Sequence, residues 1–157
     1  MSCNPLLEAF GNAKTVKNDN SSRFGKLTTL KINKHTFQIA SSSIRSYFLE
    51  KSRLPFQNSG EMNFHIFYYF VKGLPSEECA KYHLKNSKGQ LMTTESFKCI
   101  SSKQPQKTTA ADHDAFQEVR KAFNLLKFSL DQQEAIWSVI AAILHLSNVE
   151  FDHSKYE

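Results

Sequence analysis

The stretch Asn63–Lys72, N-F-H-I-F-Y-Y-F-V-K, constrains the fold more than any other. Phe64, Phe67, Tyr68 and Val71 recur at helical spacing, and Ile66 and Phe70 widen the stripe until the helix is apolar on most of its sides. Such a helix needs protein around it on most sides, so it is expected to lie deep in a core, with Gly73 placed as its C-cap. An aromatic stripe can also serve as a base-stacking platform, but no Arg is interleaved here and core packing is the better reading. The chain can supply that core: 157 residues with 40% hydrophobic content make about one ordinary domain.

Candidate packing partners lie on both sides of this segment. From Asp112 onward, Phe116, Val119, Phe123 and Leu126 share one helical face. Ser129 and Gln132 form a capping-box pattern that starts another helix carrying Ile136, Val139, Ile140, Ile143 and Leu144, and the two helices are expected to pack as an antiparallel pair. A short helix is expected around Ser76–His83. Lys85–Ala111, rich in Ser, Thr, Lys and Gln, reads as surface loops with weak local structure. Near the start, Asn4 can cap a helix whose first residue is Pro5 and whose buried side is Leu6, Leu7 and Phe10. Phe24–Asn33 reads as a strand, Asn33-Lys34 as a turn and His35–Ala40 as the return, while Ser41–Arg53 is locally ambiguous. No internal repeat or heptad run is present, which excludes a coiled-coil tail. The fold class that follows is α+β, with a few antiparallel strands and about five packed helices.

Charge and cysteine usage exclude more than they select. The formal charge is +5, but the 20 Lys and Arg are scattered, so no specific nucleic-acid partner is indicated. Cys3, Cys79 and Cys99 are an odd, widely spaced set with no C-x-x-C pair, and the six histidines form no H-x-x-x-H pair, which argues against a disulfide framework and a zinc site. No apolar run is long enough for a membrane span, and no secretory leader is visible; a soluble, cytoplasmic protein with reduced thiols is expected.

The run with most chemistry in it is Asn18-Asp19-Asn20-Ser21-Ser22-Arg23-Phe24-Gly25-Lys26. Amides and hydroxyls can donate to phosphoryl oxygens or ligate a hard cation, and Arg offers a fixed fork to a carboxylate or phosphate. On composition alone a turn before a strand is the commoner explanation. The preceding Gly11-Asn12-Ala13-Lys14-Thr15 does not complete a phosphate-binding P-loop, because Lys14 follows Ala13 rather than Gly and no strand precedes it.

This run resembles switch I, the nucleotide-sensing loop of myosin motor domains, whose usual form is N-x-N-S-S-R-F-G-K. Four further stretches resemble myosin signatures in the family's order: Asn4–Thr15 upstream, then Leu49-Glu50-Lys51-Ser52-Arg53, Asn63–Tyr68 and Ala142–Leu146 downstream. The resemblance covers nearly the whole chain. It implies a helix over residues 1–15, the switch I loop over 16–26, central-sheet strands over 24–53 and a helical part over 63–157 with a surface region about 85–111.

What the resemblance implies for function is an actin-based, ATP-driven cytoskeletal motor, with ATP and Mg2+ as ligands and actin filaments and the remainder of the heavy chain as partners. Asn18 would lie against the nucleotide phosphates and Asn20 would hold the loop's shape. Ser21 would sit beside the attacking water, Ser22 would ligate Mg2+, and Arg23 would pair with a glutamate of switch II from outside this chain. Asp19 is tolerable there only if it points outward. Met62 stands where the family commonly has Arg, so it can only pack. The resemblance also implies that the P-loop and switch II lie outside the chain, so that the chain alone is expected to be inactive. The alternative is a non-catalytic fragment or gene remnant.

Overall fold

The computed structural model describes residues 4–101 and 110–152, in the order α1 (Asn4–Gly11), β1 (Asn12–Ala13), β2 (Ser21–Ser22), β3 (Phe24–Ile32), β4 (Ile39–Leu49), α2 (His65–Gly73), α3 (Ala110–Leu125) and α4 (Leu130–Leu146). The mixed α+β class read from the sequence is the class observed, with four helices and two antiparallel two-stranded sheets among the described residues. Readings that involve Cys3, His153 and residues 102–109 fall outside the described residues.

Helix α2 takes the central place its composition demands. Ile66, Phe67, Tyr68 and Phe70 are buried, and α1 and α3 both pack on the helix. Phe70, fully buried, lies 5.4 Å from the Tyr82 ring, 6.1 Å from Phe116 and 5.9 Å from Trp137, centroid to centroid. Trp137 in turn meets Phe116 at 5.2 Å and Phe123 at 5.3 Å. Phe70 and Trp137 are stacked and the other pairs are edge-to-face or tilted, arrangements that add to area burial through the ring quadrupoles. Helix α3 packs on α2, and α4 meets α3 through Trp137 on Phe116 and Phe123 and through Gln133 Nε2, which donates to Asn124 Oδ1 at 2.9 Å.

Gly73 belongs to α2 rather than capping it in a left-handed turn; the following Leu74 is extended. The glycine is demanded by packing, since a Cβ here would lie 2.4 Å from Cβ of Phe116. Helix α3 instead ends in a Schellman motif. Phe128 N–H bonds Phe123 O at 3.1 Å, Lys127 N–H bonds Asn124 O at 3.0 Å, and Lys127 takes the left-handed conformation with φ 60°. The Phe123 and Phe128 rings, 5.0 Å apart, make the apolar contact that accompanies the motif. Helix α4 starts with the capping box read from the sequence: Ser129 Oγ accepts from Gln132 N–H at 3.2 Å, and Ser129 N–H bonds Gln132 Oε1 at 2.9 Å.

Three other local readings are corrected. Ser76–His83 forms consecutive turns, closed by Leu84 N–H on Cys79 O at 2.9 Å with His83 left-handed, rather than a helix. The Lys85–Ala111 stretch is not all surface, because Phe97, Cys99 and Ile100 are buried against the aromatic core. Leu126 lies past the end of α3 and is exposed, as is Val139.

The hairpin turn is longer than Asn33-Lys34. Asn33 Oδ1 accepts from His35 N–H at 2.8 Å and Thr36 N–H at 3.2 Å, a side-chain substitute for a backbone turn, and the return strand starts only at Ile39. From there β4 pairs with β3 along its whole length, Phe24 opposite Leu49, with register shifts at Gly25/Lys26 and Lys31/Ile32. The locally ambiguous segment is therefore strand to Leu49 and then a 3-10 turn, Lys51–Arg53. A two-stranded ribbon cannot cover its own faces, and Leu27, Leu30, Ile39, Tyr47 and Phe48 stand exposed. No helix of the described residues is long and apolar enough to cross a membrane.

Candidate functional site

The polar run is folded back on itself at its base. Asn12 pairs with Ser22 and Ala13 with Ser21, so residues 14–20 form a loop between β1 and β2. On its other side β1 meets the segment entering α2, through the Ala13–Phe64 bridge and Met62 N–H on Lys14 O at 3.0 Å. Inside the loop, Thr15 N–H donates to Asn18 O at 2.8 Å, and Thr15 Oγ1 accepts from Asn18 N–H at 3.1 Å. Asn18 Oδ1 accepts from Asn20 N–H at 2.8 Å. Asp19 points outward, its side chain 82% exposed and paired with Lys14 at 3.1 Å.

Asn20 ties this loop to two helices. Its Nδ2 donates to Glu8 on α1 at 3.0 Å, which fixes the amide orientation, and its Oδ1 accepts from Asn12 Nδ2 at 3.1 Å. His65 at the start of α2 approaches the same Oδ1 with Nε2 at 3.1 Å. An amide oxygen only accepts, so Nε2 carries the proton. Burial lowers the His65 pKa from its ordinary value, against the raising influence of Glu8, which favours the neutral ring. Asn12 Oδ1 is the one buried side-chain polar atom without a partner among the described residues. Asn12 is also one of the residues lining a hollow of about 210 Å³, with Glu8, Ser22, Phe24 and Lys26. A larger hollow of about 560 Å³, between Phe10, Leu54, Phe64, Ile136 and Ile143, is almost wholly apolar and offers little to a phosphate.

Ser21, Ser22 and Arg23 follow as one extended piece into β3. Ser22 is exposed, and its hydroxyl donates to Phe24 O at 3.1 Å, which leaves its lone pairs open to a cation or a donor. Ser21 Oγ accepts from an Nη1 hydrogen of Arg23 at 3.2 Å. Arg23 Nε lies 2.6 Å from Glu50 Oε2. The sequence reading leaves Arg23 without a carboxylate inside the chain, and this is corrected: the hairpin register that sets Phe24 opposite Leu49 also sets Arg23 beside Glu50, whose N–H bonds Arg23 O at 2.9 Å.

Glu50 Oε2 also accepts from Arg53 Nε at 2.9 Å. Arg53 is 4% exposed and is satisfied further by Glu61 at 3.1 Å and by Met62 O at 3.0 Å. A buried guanidinium requires such a full set of acceptors. The Arg23 hydrogen bond, with help from Arg53 and against burial, holds the Glu50 carboxyl below its ordinary range. Met62, half-buried, packs against the core while its carbonyl serves Arg53.

The segment between this cluster and α2 is anchored by Asn63, fully buried. Its Nδ2 donates to Leu54 O at 3.0 Å and to Cys99 O at 2.9 Å, and its Oδ1 accepts from Phe64 N–H at 2.9 Å. Asn63 N–H donates to the Tyr68 hydroxyl at 3.1 Å, and burial pushes the Tyr68 pKa up to about 12.

Of the residues singled out in the sequence, Asn20, Ser21 and Arg23 are thus drawn into side-chain networks, while Asn18 and Ser22 stay exposed with local bonds only. Glu50, Arg53, Glu61 and Asn63 were missed as site residues. The signal for Glu50 was its hairpin register with Arg23, which requires both strand ends and cannot be read from either motif alone.

A sequence profile of the family described as myosin head (motor domain) matches residues 1–157. Myosin-1 of Saccharomyces cerevisiae is 42% identical over 155 residues, 98% of this chain and 8% of the yeast protein. Human unconventional myosin-XV is 41% identical over 154 residues, 98% of this chain and 4% of that protein. Myosin-A of Plasmodium yoelii yoelii is 41% identical over 149 residues, 95% of this chain and 17% of its own length. The chain therefore spans less than a fifth of each of these relatives. With the profile matched from end to end and relatives this similar along nearly all of its residues, the chain belongs to the myosin motor-domain family.

Proposed function

We propose that residues 16–26 are the switch I loop of an actin-based, ATP-driven motor, the part that contacts Mg-ATP and senses its γ-phosphate. The observation that carries this reading is the division of labour within the loop. Asn20 is tied inward to Asn12, Glu8 and His65, while Asn18 and Ser22 keep exposed polar groups. A loop that must meet a phosphate needs such an internal tie and such an outer edge, because donors placed in advance need not reorganise when the ligand arrives.

The residues present fit a magnesium nucleotide. Ser22 Oγ has an acceptor lone pair for a hard cation, and the Asn18 amide hydrogens have no partner among the described residues. Magnesium would supply charge neutralisation between the phosphates. In this chain Asn18 would hold the phosphates, Ser22 would provide the metal ligand, Ser21 would stand beside the attacking water and Arg23 would fix a carboxylate across the site. β3, leading directly from Arg23, would transmit the loop's order change to the sheet. Actin filaments and the remainder of the heavy chain are the partners, and the cytoplasmic actin cytoskeleton is the compartment.

Arg23→Ala in a complete motor domain carrying this segment tests the reading. ATP binding should stay nearly intact and single-turnover hydrolysis should slow by about two orders of magnitude or more. An unchanged hydrolysis rate would falsify the switch I assignment.

A further inference from the structure

Arg23 has one carboxylate partner among the described residues, Glu50, and that carboxylate is shared. Glu50 Oε2 holds Arg23 Nε at 2.6 Å and Arg53 Nε at 2.9 Å. The two guanidiniums differ in how firmly they are placed. Arg53 is buried and keeps Glu61 and Met62 O whatever Arg23 does. The Arg23 side chain is 28% exposed, and its other hydrogen bond is to Ser21 Oγ. Removal of Arg23 would leave Glu50 still bonded to Arg53 and partly open to water, so no bare buried charge would result. The Arg23–Glu50 pair is therefore the breakable one in a cluster whose remainder is self-sufficient.

We propose that Glu50 is a positioning residue, the carboxylate on which Arg23 rests in the open state, and that Arg23 leaves it for the carboxylate it meets when the nucleotide site closes. The inference rests on the switch I reading above. Its physical content is an exchange of partners at one guanidinium, with Arg53 holding Glu50 in place for the return. Since Arg23 Nη1 bonds Ser21 Oγ in the resting arrangement, departure of Arg23 also frees the Ser21 hydroxyl, so that closing and release of that group are one event. Cross-strand pairing makes the device local: Glu50 N–H bonds Arg23 O at 2.9 Å, so both side chains start from one backbone ladder and only the side chain has to move.

The test is a double-mutant cycle in a complete motor domain carrying this segment, with γ-phosphate cleavage read in single turnovers. Glu50→Gln removes the resting charge and should favour the closed state, raising the cleavage rate or its equilibrium by about threefold, as expected for a partly exposed ion pair. In the Arg23→Ala background the same change should have no effect. A structural role for Glu50 would instead produce equal effects in both backgrounds, and that result, or no effect in either, overturns the proposal. If Glu50→Gln does not fold, Glu50→Asp, which keeps the charge on a shorter stem, carries the cycle with the same expected sign. Slow cleavage in Arg23→Ala together with an inert Glu50→Gln sinks the resting-partner inference alone; normal cleavage in Arg23→Ala sinks the switch I reading itself.

Discussion

Replacing Asn63 by Ala should be among the most damaging single changes in this chain. The amide is fully buried and makes three side-chain hydrogen bonds: to Leu54 O, to Cys99 O and from Phe64 N–H. Leu54 is half-buried, so water can replace that bond at little cost. Cys99 O and Phe64 N–H are in buried contacts and would be left without partners, each costing about 1–3 kcal/mol. The sum, about 2–6 kcal/mol, is a large share of the roughly 5–15 kcal/mol that holds a domain together. Trp137, the chain's single tryptophan, is packed between Phe70, Phe116 and Phe123 and reports loss of the core by fluorescence. With a urea slope of about 2 kcal/mol/M, the unfolding midpoint of the purified chain should fall by about 1–3 M. A fall worth less than about 1 kcal/mol would mean that water satisfies those groups and that the anchoring argument is wrong.

Gly73→Ala should destabilise by about 2 kcal/mol or more despite alanine's better helix propensity, since its methyl would meet Phe116 Cβ at 2.4 Å; unchanged stability by urea titration would refute the close α2–α3 contact. Lys127→Gly should stabilise by about 0.5–1 kcal/mol by relieving the left-handed residue at the end of α3, and a loss of thermal stability there would contradict the motif's energetics. In a complete motor domain, Ser22→Ala should weaken magnesium-dependent nucleotide binding more than Ser21→Ala does, because a cation ligand is lost rather than a proton relay. Equal magnesium titrations for the two variants would break that division of roles.

Much of this protein was legible without coordinates because its signals are local. The apolar run from Phe64 to Val71 could only become a buried helix, and Ser129 with Gln132 could only mark a helix start, since each depends on spacing along one element. The polar loop and its arginine stand out in the sequence for the same reason, as nine consecutive residues of one run. Tertiary structure alone decided what depends on two distant segments meeting. Gly73 reads as a cap in one dimension and proves to be a contact surface for Phe116 in three. Phe97 and Ile100 lie in a polar stretch without periodicity, yet the aromatic core captures them. Above all, Arg23 and Glu50 stand 27 residues apart, and only the register of the hairpin, set by the Asn33 turn and two irregularities in its ladder, makes them partners. Motif chemistry depends on neighbours in sequence; a charge finds its counter-charge through the fold, where pairing register and burial choose which carboxylate is within reach.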